Sequence, residues 1–455
     1  MKLAIIGGGW AGLSAAYRLY QQGHDVHVFE ASHSLGGRAR SVRSARMQHP
    51  LDNGQHILLG AYTEALALIQ EINASGPSGE QAVPADELLY ALPLALRSAD
   101  GQFSMNVPDL PAPLHLAASL FTTRGLAWSE RLRLAMSLHR LKRANFTVES
   151  GQTVTQWLDW NRQSARLRQH VWHPLCLAAM NTPPDHACAQ LFANVLRDSL
   201  CGTAQACRVL IPRVGLSRLW PEPLAHLATQ TSRLRIHRGV VIRELARHAD
   251  TIRMADQDFD GVIVATNIPS ALRLLQPLDA ENSKTQAARR AYLTSLASFR
   301  FIPIATITLK LQSPWRPPLP MLMLNEDPER EKFGQWLFAP GLFMHRQTDT
   351  DESLLNIVVS NATVLQTLPI ERVIQCIIEQ LRADTSQFGP LPQVSDYELI
   401  VEKRATFAAV PGLARPQNTT PWPRIWVAGD WTDTGYPAVL EGAVRSGRHA
   451  ARLIA

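Results

Sequence analysis

The sequence predicts an α/β fold in which a mixed α+β domain is interleaved with a Rossmann-like domain. Three patterns support this prediction. Residues 1–30 indicate a strand, a glycine-rich turn, a helix and a second strand. Residues 261–266 indicate another buried parallel strand, and residues 423–447 a strand followed by a closing helix. Because parallel strands need crossover connections, these long separations indicate a chain that leaves the Rossmann-like domain and returns to it.

The first element combines a strand, a glycine turn and a helix without a gap. Residues 2–6 are apolar and partly β-branched, and Gly7, Gly9 and Gly12 follow in the spacing G-x-G-x-x-G. Gly7 permits a sharp turn, Gly9 lets the backbone approach a pyrophosphate, and Gly12 lets the helix pack closely on the strand. The helix N-terminus then faces the phosphates. In this context the glycines predict a dinucleotide site.

The second strand ends in an acidic residue at a distance typical of ribose binding. Residues 26–29 indicate a second strand, and Glu30 closes it, 18 residues after Gly12. A carboxylate about 20 residues after the third glycine can bind a ribose hydroxyl and repels a 2′-phosphate. We therefore expect Glu30 to bind an unphosphorylated ribose.

A second glycine pair distinguishes between dinucleotides. Gly36 and Gly37 let another backbone segment approach the cofactor, and Arg38 places a permanent positive charge near the diphosphate. A soluble dehydrogenase needs no such second clamp, so FAD is predicted rather than NAD. Residues 5–38 as a whole resemble the amino-terminal signature of the flavin amine oxidase and phytoene desaturase superfamily.

The end of the chain resembles the same superfamily. Residues 423–430 indicate a strand that runs into a Gly-Asp turn, and residues 440–447 begin the last helix. The resemblance implies that Asp430 accepts a hydrogen bond from the ribityl chain. It also implies that N–H groups at the helix start face the pyrimidine end of the flavin, where charge accumulates on reduction. The expected cofactor residues here are Gly429, Asp430, Glu441, Gly442 and Ala443.

The middle of the chain indicates a return to the cofactor domain. Residues 235–242 and 251–254 are expected to be strands, and in this superfamily such a segment supplies backbone contacts to the adenine, here from Val240 and Val241. The expected organisation is a discontinuous FAD-binding domain of residues 1–69, 205–275 and 400–455, with a substrate-binding domain of residues 70–204 and 276–399.

Composition excludes several classes of protein. The 455 residues are 46% hydrophobic, which is ordinary for a globular chain, and 45 Lys+Arg against 39 Asp+Glu give a net charge of +6. No dense basic run with interleaved aromatic residues indicates nucleic-acid binding. The five cysteines form no C-x-x-C pair, so neither a metal site nor a disulfide framework is expected. They suit a reducing cytoplasm.

Two regions raise the question of membrane contact, although no apolar run is long enough to span a bilayer. Residues 88–96 are apolar, and residues 110–143 combine apolar side chains with arginines. An apolar face flanked by arginines can lie in a headgroup layer, for instance on the inner face of the cell membrane. The alternative is an amphipathic helix that packs on the protein's own core.

Four segments narrow the resemblance to one branch. Residues 51–62, 172–183, 191–200 and 429–437 resemble the squalene-associated desaturases, whose characterised activity is hydroxysqualene dehydroxylation in bacterial hopanoid biosynthesis. The resemblance implies an FAD-dependent reduction of a C30 isoprenoid, hydroxysqualene, to squalene with loss of water. Upstream enzymes of squalene synthesis are expected as partners. The open alternatives are a carotenoid desaturase or isomerase, an amine oxidase, and a lipid-binding scaffold that holds FAD.

The segment around Gly54 contains the expected catalytic residues. In the related desaturases it passes the flavin ring, so Gly54 is expected at the cofactor. An allylic hydroxyl leaves poorly unless it is protonated, and we expect His56 to supply the proton with support from Asn53 and Gln55. A structural hydrogen bond to backbone is the alternative role of His56. His173 is a second candidate donor, although a local packing role suits it better.

Overall fold

The computed structural model describes residues 1–47, 50–74, 83–248, 250–279, 283–345 and 353–454. The strands are β1 (Lys2–Ile6), β2 (Asp25–Glu30), β3 (Ser41–Arg43), β4 (Pro50–Asp52), β5 (Leu58–Leu59), β6 (Leu89–Leu92), β7 (Ala95–Arg97), β8 (Ser104–Asn106), β9 (Val209–Pro212), β10 (Leu234–Arg238), β11 (Ala246–His248), β12 (Thr251–Met254), β13 (Gln257–Phe259), β14 (Gly261–Val264), β15 (Phe301–Leu311), β16 (Met321–Met323), β17 (Trp336–Phe338), β18 (Leu354–Ser360), β19 (Val394–Phe407) and β20 (Ile425–Val427).

The α-helices are α1 (Trp10–Gln21), α2 (Thr63–Ala74), α3 (Ala85–Leu88), α4 (Leu114–Thr122), α5 (Trp128–Arg143), α6 (Val154–Trp160), α7 (Ala165–Leu167), α8 (His173–Met180), α9 (Ala189–Asp198), α10 (Leu216–Leu219), α11 (Pro221–Thr229), α12 (Ile268–Leu275), α13 (Ser283–Ala297), α14 (Ile370–Asp384) and α15 (Leu440–Arg452). A π-helical turn, Arg168–Trp172, joins α7 to α8.

Five parallel strands form the central sheet in the order β10-β2-β1-β14-β20. Leu3 and Ile5 of β1 pack with residues of α1 and α15 on one face of the sheet. Ala4 and Ile6 belong to the core on the other face, which includes Phe259 of β13. Burial on both faces explains the nearly continuous apolar character of the central strands β1 and β14. The sheet confirms the predicted α/β class.

The strands of this sheet end at one edge, and the turns that follow them form the candidate site. Gly7 follows β1, Glu30 ends β2, Ala265 follows β14, and Gly429 lies two residues after β20. In parallel sheets of this kind, ligands bind outside the carboxyl ends of the strands.

A second sheet, in the order β16-β17-β18-β15-β19, is antiparallel and packs on α14. Ile307 and Leu309 of β15 share a buried core with Ile377 of α14. Because side chains alternate along a strand, Thr306 and Thr308 lie on the opposite face of β15. This polar face borders the segment around Gly54, as described below.

Two of the expected domain limits fall inside continuous elements. The limit at 69/70 lies within α2, and the limit at 399/400 lies within β19, which pairs with β15 as far as Phe407. In addition, β6 and β9 pair across the expected division. The chain therefore passes between its two main sheets through shared elements, and the division into two domains stays a prediction.

Helices α4 to α9 form a further layer with an aromatic core. Trp172 meets Trp157 and Phe192 edge-on, with ring centroids 5.3 Å and 6.2 Å apart, and all three side chains are buried. Within the described ranges, none of the helices has both the length and the apolar character needed to cross a membrane.

Candidate active site

The three glycines of the first turn have different surroundings. A Cβ on Gly7, which has φ +111°, would lie 2.5 Å from the Ala265 oxygen, and a Cβ on Gly12 would lie 2.0 Å from the Gly7 oxygen. Backbone contacts therefore require glycine at both positions. A Cβ on Gly9 would meet only the Gly37 Cα, at 3.7 Å. Gly9 thus leaves open the approach that a pyrophosphate needs.

The second glycine pair lies directly against the first turn. The Gly36 N–H donates to the Gly8 oxygen at 2.9 Å, and Gly9 and Gly36 form a parallel bridge. A Cβ on Gly37 would lie 3.1 Å from the Gly9 Cα. The two loops therefore approach each other through backbone alone, which suits a cofactor held between main-chain N–H groups.

Glu30 lies beside the glycine turn. Its carboxylate accepts hydrogen bonds from the N–H of Gly8 at 2.6 Å and of Ser32 at 2.8 Å. A carboxylate has about four lone-pair positions, so these two bonds leave capacity for a ribose hydroxyl. The Val240 N–H donates to the backbone oxygen of Glu30 at 2.9 Å, and the next residue, Val241, has 49% of its surface exposed. The expected ribose and adenine contacts are therefore neighbours.

Arg38 and Asp430 connect the two ends of the chain. The Arg38 Nη2 lies 2.6 Å from the Asp430 Oδ1, and Nη1 donates to the Ala405 oxygen at 2.6 Å. Burial lowers the pKa of Arg38, but the charge of Asp430 and the hydrogen bond to it raise that pKa above its ordinary value. Arg38 thus fixes the position of the Asp430 side chain, which is expected to hold the ribityl chain.

Two of the predicted residues are hydrogen-bonded to the antiparallel sheet. The Asn53 Nδ2 donates to the Arg38 oxygen at 3.0 Å and to the Glu402 Oε2 at 3.2 Å. The Gln55 Oε1 accepts from the Asn356 Nδ2 at 3.0 Å. Asn53 and Gln55 therefore fix this segment to residues of β19 and β18, which makes both of them positioning residues.

His56 has its orientation set by backbone. Its Nδ1 lies 2.8 Å from the Gly54 oxygen, and because a carbonyl only accepts, Nδ1 carries the proton. Burial lowers the pKa of His56, the bond to Gly54 raises it, and the charge of Arg38 lowers it further, with a net decrease. The structural hydrogen bond weighed in the sequence is therefore present, and Nε2 is the nitrogen left for chemistry.

Polar residues of the antiparallel sheet complete this region, and sequence reasoning missed them. The Gln55 N–H lies 3.4 Å from the Thr306 Oγ1, and the Thr308 Oγ1 donates to the Asn356 Oδ1 at 2.9 Å. Thr306 and Thr308 alternate with apolar residues in β15. This alternation is the one signal that could have indicated a polar face on the strand.

Arg415 was also missed, although it organises the loop after β20. It donates to the backbone oxygens of Asp430 at 2.7 Å, Tyr436 at 2.5 Å and Thr432. It also donates to the Thr434 Oγ1 at 3.0 Å. Burial lowers its pKa to about 10, so it is charged at neutral pH. A single arginine in a loop has no periodic or motif signal.

The start of α15 combines a predicted cofactor contact with a structural role. The fully buried carboxylate of Glu441 accepts from the N–H of Ala65 at 2.9 Å and of Glu64 at 3.1 Å, at the first turn of α2. It also binds the Arg445 Nε at 2.7 Å. The Glu441 side chain thus joins α15 to α2. At Gly442 a Cβ would lie 3.2 Å from the Thr434 Oγ1, and Ala443 follows it on the helix.

The second candidate donor lies elsewhere. His173 begins α8, and the charged groups that act on it are Arg168 and Asp185, which are not among the predicted site residues. Burial lowers its pKa, and Arg168 lowers it further. These surroundings favour the local packing role.

Comparison with known proteins identifies the family. The profile of the family described as flavin containing amine oxidoreductase matches residues 10–455. The hydroxysqualene dehydroxylase of Rhodopseudomonas palustris is 30% identical, covering 99% of this chain and 97% of its own. The 15-cis-phytoene desaturase of Synechococcus elongatus is 23% identical, covering 100% and 96%. An oxidoreductase from Methanosarcina mazei shares the fold with a TM-score of 0.71 at 17% identity, covering 99% of this chain and 100% of its own. The chain therefore belongs to the flavin-containing amine oxidoreductase family and is an FAD-dependent oxidoreductase.

Proposed function

We propose that this enzyme reduces hydroxysqualene to squalene with loss of water. The observation that carries the proposal is the similarity to a hydroxysqualene dehydroxylase over 99% of the chain. The reaction replaces a C–O bond by a C–H bond: the carbon gains a hydride, and the hydroxyl gains a proton and leaves as water. FAD, when bound and reduced, supplies the hydride.

The protein's own task is then to deliver the proton. The His56 Nδ1 is held by the Gly54 oxygen, so only Nε2 can donate to a substrate oxygen, and it does so when the ring is protonated. Burial lowers the pKa of His56. The protonated ring is therefore a stronger acid than the protonated ring of an exposed histidine, and it is the minor form at neutral pH. Asn53 and Gln55 fasten the segment to β19 and β18 and so fix the position of this ring.

A carotenoid desaturase is the second candidate, and the similarity to a phytoene desaturase over 100% of the chain favours it. That reaction runs in the opposite sense, because the substrate loses a hydride and a proton to form a double bond. It needs oxidised flavin and a base, which the neutral His56 Nε2 can provide. The two functions therefore differ in the flavin they require: the dehydroxylase acts with reduced flavin, and the desaturase acts with oxidised flavin.

The deciding experiment uses the FAD-loaded protein without oxygen. With flavin reduced by deuteride, we expect hydroxysqualene to yield squalene that carries deuterium on the carbon that bore the hydroxyl. Unreacted hydroxysqualene, together with dehydrogenation of phytoene by the oxidised enzyme, would contradict the proposal and establish the desaturase. Heat-denatured protein with reduced FAD measures the uncatalysed background.

A further inference from the structure

One surface of the helical layer exposes a row of large apolar side chains. Trp128, Leu132 and Met136 of α5 are 63%, 60% and 42% exposed. Steps of four residues keep side chains on one side of a helix, so the three form a continuous strip. Packing on the protein's own core, the alternative weighed in the sequence, uses the other side of α5, where the buried apolar residues are Leu134, Leu138 and Leu141.

Neighbouring helices extend the strip into a surface. Phe121 of α4 is 70% exposed and lies against Trp128, with ring centroids 5.5 Å apart. Trp160 at the end of α6 is 66% exposed, and the Arg140 guanidinium lies 5.8 Å from its ring centroid. Large apolar groups from three helices are thus exposed together, which exceeds the scattered apolar residues of an ordinary protein surface.

The charge along α4 and α5 is positive. Residues 110–143 contain six basic residues and one acid, Glu130. The carboxylate of Glu130 is already bound by the Ser164 hydroxyl at 2.6 Å and the Ala127 N–H at 2.9 Å. The basic residues are Arg124, Arg131, Arg133, Arg140, Lys142 and Arg143.

Arg131 holds the aromatic groups in place. Its guanidinium lies 4.5 Å from the Trp128 ring centroid, and it donates to the oxygens of Phe121 at 2.8 Å and Leu126 at 3.2 Å. These bonds join the end of α4 to the start of α5. Because the rings are already ordered, inserting them into another phase costs little conformational entropy.

We propose that this surface, formed by Phe121, Trp128, Leu132, Met136 and Trp160 and here named the α5 surface, docks on an anionic lipid bilayer. The apolar groups enter the region between headgroups and acyl chains, and the surrounding arginines bind lipid phosphates. A second copy of the chain fits less well, because a symmetric interface would place the same positive charges opposite each other. The inference does not depend on the reaction proposed above.

The first test is co-sedimentation of the FAD-loaded protein with phosphatidylcholine vesicles, with and without phosphatidylglycerol. We expect binding to the anionic vesicles that weakens as salt rises. The double variant Trp128→Ser, Leu132→Ser should lower the partition coefficient at least about tenfold, since the transfer of each large apolar group out of water is favourable. The matched control is Val364→Ser, Ile370→Ser, which removes groups that are 43% and 50% exposed elsewhere and should bind like wild type.

The second test separates local charge from net charge. Arg133→Glu, Arg143→Glu changes two exposed residues of α5, and Arg290→Glu, Arg382→Glu changes two exposed residues of α13 and α14. Both double variants shift the net charge equally. We expect the α5 variant alone to lose binding to anionic vesicles. Circular dichroism and flavin absorbance confirm that each variant folds.

Four results would overturn the proposal. Wild-type protein could stay in the supernatant whatever vesicles are present, or bind neutral and anionic vesicles equally. The control pairs could lose as much binding as the α5 pairs. Sedimentation velocity could instead show a dimer that Trp128→Ser, Leu132→Ser dissociates while vesicles have no effect, which would assign the surface to a second copy of the chain.

Discussion

Among single residues, the glycines of the first turn allow cofactor contact to be separated from folding. A Cβ at Gly12 would collide with the Gly7 oxygen, whereas a Cβ at Gly9 would make only an ordinary van der Waals contact, 3.7 Å from the Gly37 Cα. We expect Gly9→Val to fold and to purify with little flavin, because its methyl groups occupy the approach to the pyrophosphate. Flavin absorbance relative to protein, with circular dichroism as the folding check, measures this.

The contrast with Gly12 makes the result interpretable. Gly12→Ala should lower the free energy of unfolding, because a Cβ 2.0 Å from backbone oxygen forces α1 away from β1. Wild-type flavin content in purified Gly9→Val would show that the pyrophosphate lies elsewhere.

His56 gives a pH prediction whose sign follows from its surroundings. A general acid must be protonated, and burial lowers the pKa of His56 below its ordinary 6.5. The rate of hydroxysqualene reduction should therefore fall as pH rises, with the decrease already under way below pH 6.5. His56→Ala should retain FAD and react at least roughly a hundredfold more slowly, the lower range of general acid catalysis. Single-turnover rates under anaerobic conditions measure both.

The exposed His186 is the control for that variant. His186→Ala should keep the wild-type rate and pH profile. A normal rate in His56→Ala would leave this ring with only its hydrogen bond to Gly54, and a rate that rises with pH would instead indicate a base.

At the scale of elements, the sequence predicted most reliably those strands, helices and turns that are determined by residues close together in the chain. The strands β1, β2, β12 and β14 and the helices α1 and α15 follow from apolar runs and glycine turns, and the structure confirms them. The strand expected over residues 235–242 ends at Arg238. The turn from Gly239 follows it, because this glycine has φ +72° and its N–H pairs with the Ser32 oxygen.

Residues that depend on distant contacts could not be predicted. Thr306 belongs to the site only because β15 pairs with β19 and lies beside the segment of Gln55. Arg415 belongs to it only because the loop after β20 turns its carbonyl groups toward one guanidinium. The limit expected at 399/400 stays a prediction, although it lies inside β19, because no local signal reports that β19 pairs with β15 on both sides of it.

Asp52 shows how one carboxyl joins three elements at a cost in stability. At the end of β4, its Oδ1 accepts from the Ser41 hydroxyl at 2.7 Å and the Leu216 N–H of α10 at 2.9 Å. Burial raises its pKa to about 6, although both hydrogen bonds oppose the shift. The folded state thus holds this proton more tightly than the unfolded chain does. The stability that protonation of Asp52 contributes is therefore lost as pH rises through about 6.

Asp52→Asn removes that titration while keeping an oxygen acceptor. We expect the difference in free energy of unfolding, variant minus wild type, to be about 1 to 2 kcal/mol more positive at about pH 8 than at about pH 5. Urea unfolding at the two pH values measures the difference. A difference between the two proteins that is constant with pH would show that Asp52 titrates normally in the folded chain.

For the whole molecule, the candidate site combines segments that are distant in sequence. The turn at residues 7–12, the pair at residues 36–37, the segment after β10 at residues 240–241 and the stretch at residues 429–443 come together at one sheet edge. Arg38 and Asp430 already form one ion pair across 392 positions of chain. A cofactor bound there would contact all of these segments at once, and its binding energy would be added to the stability of the folded state alone.

Hydrogen exchange with and without FAD should therefore reveal one cooperative response. We expect amides in all four segments to exchange more slowly when FAD is added, because opening any one of them breaks contacts with the same ligand. Asp430→Ala should weaken the protection in the first three segments as well as in its own, since less FAD is bound at a given concentration. The α5 surface, which has no part in the site, should exchange equally in both states. Protection confined to residues 7–38, with residues 429–443 unchanged, would contradict a site built from both ends of the chain.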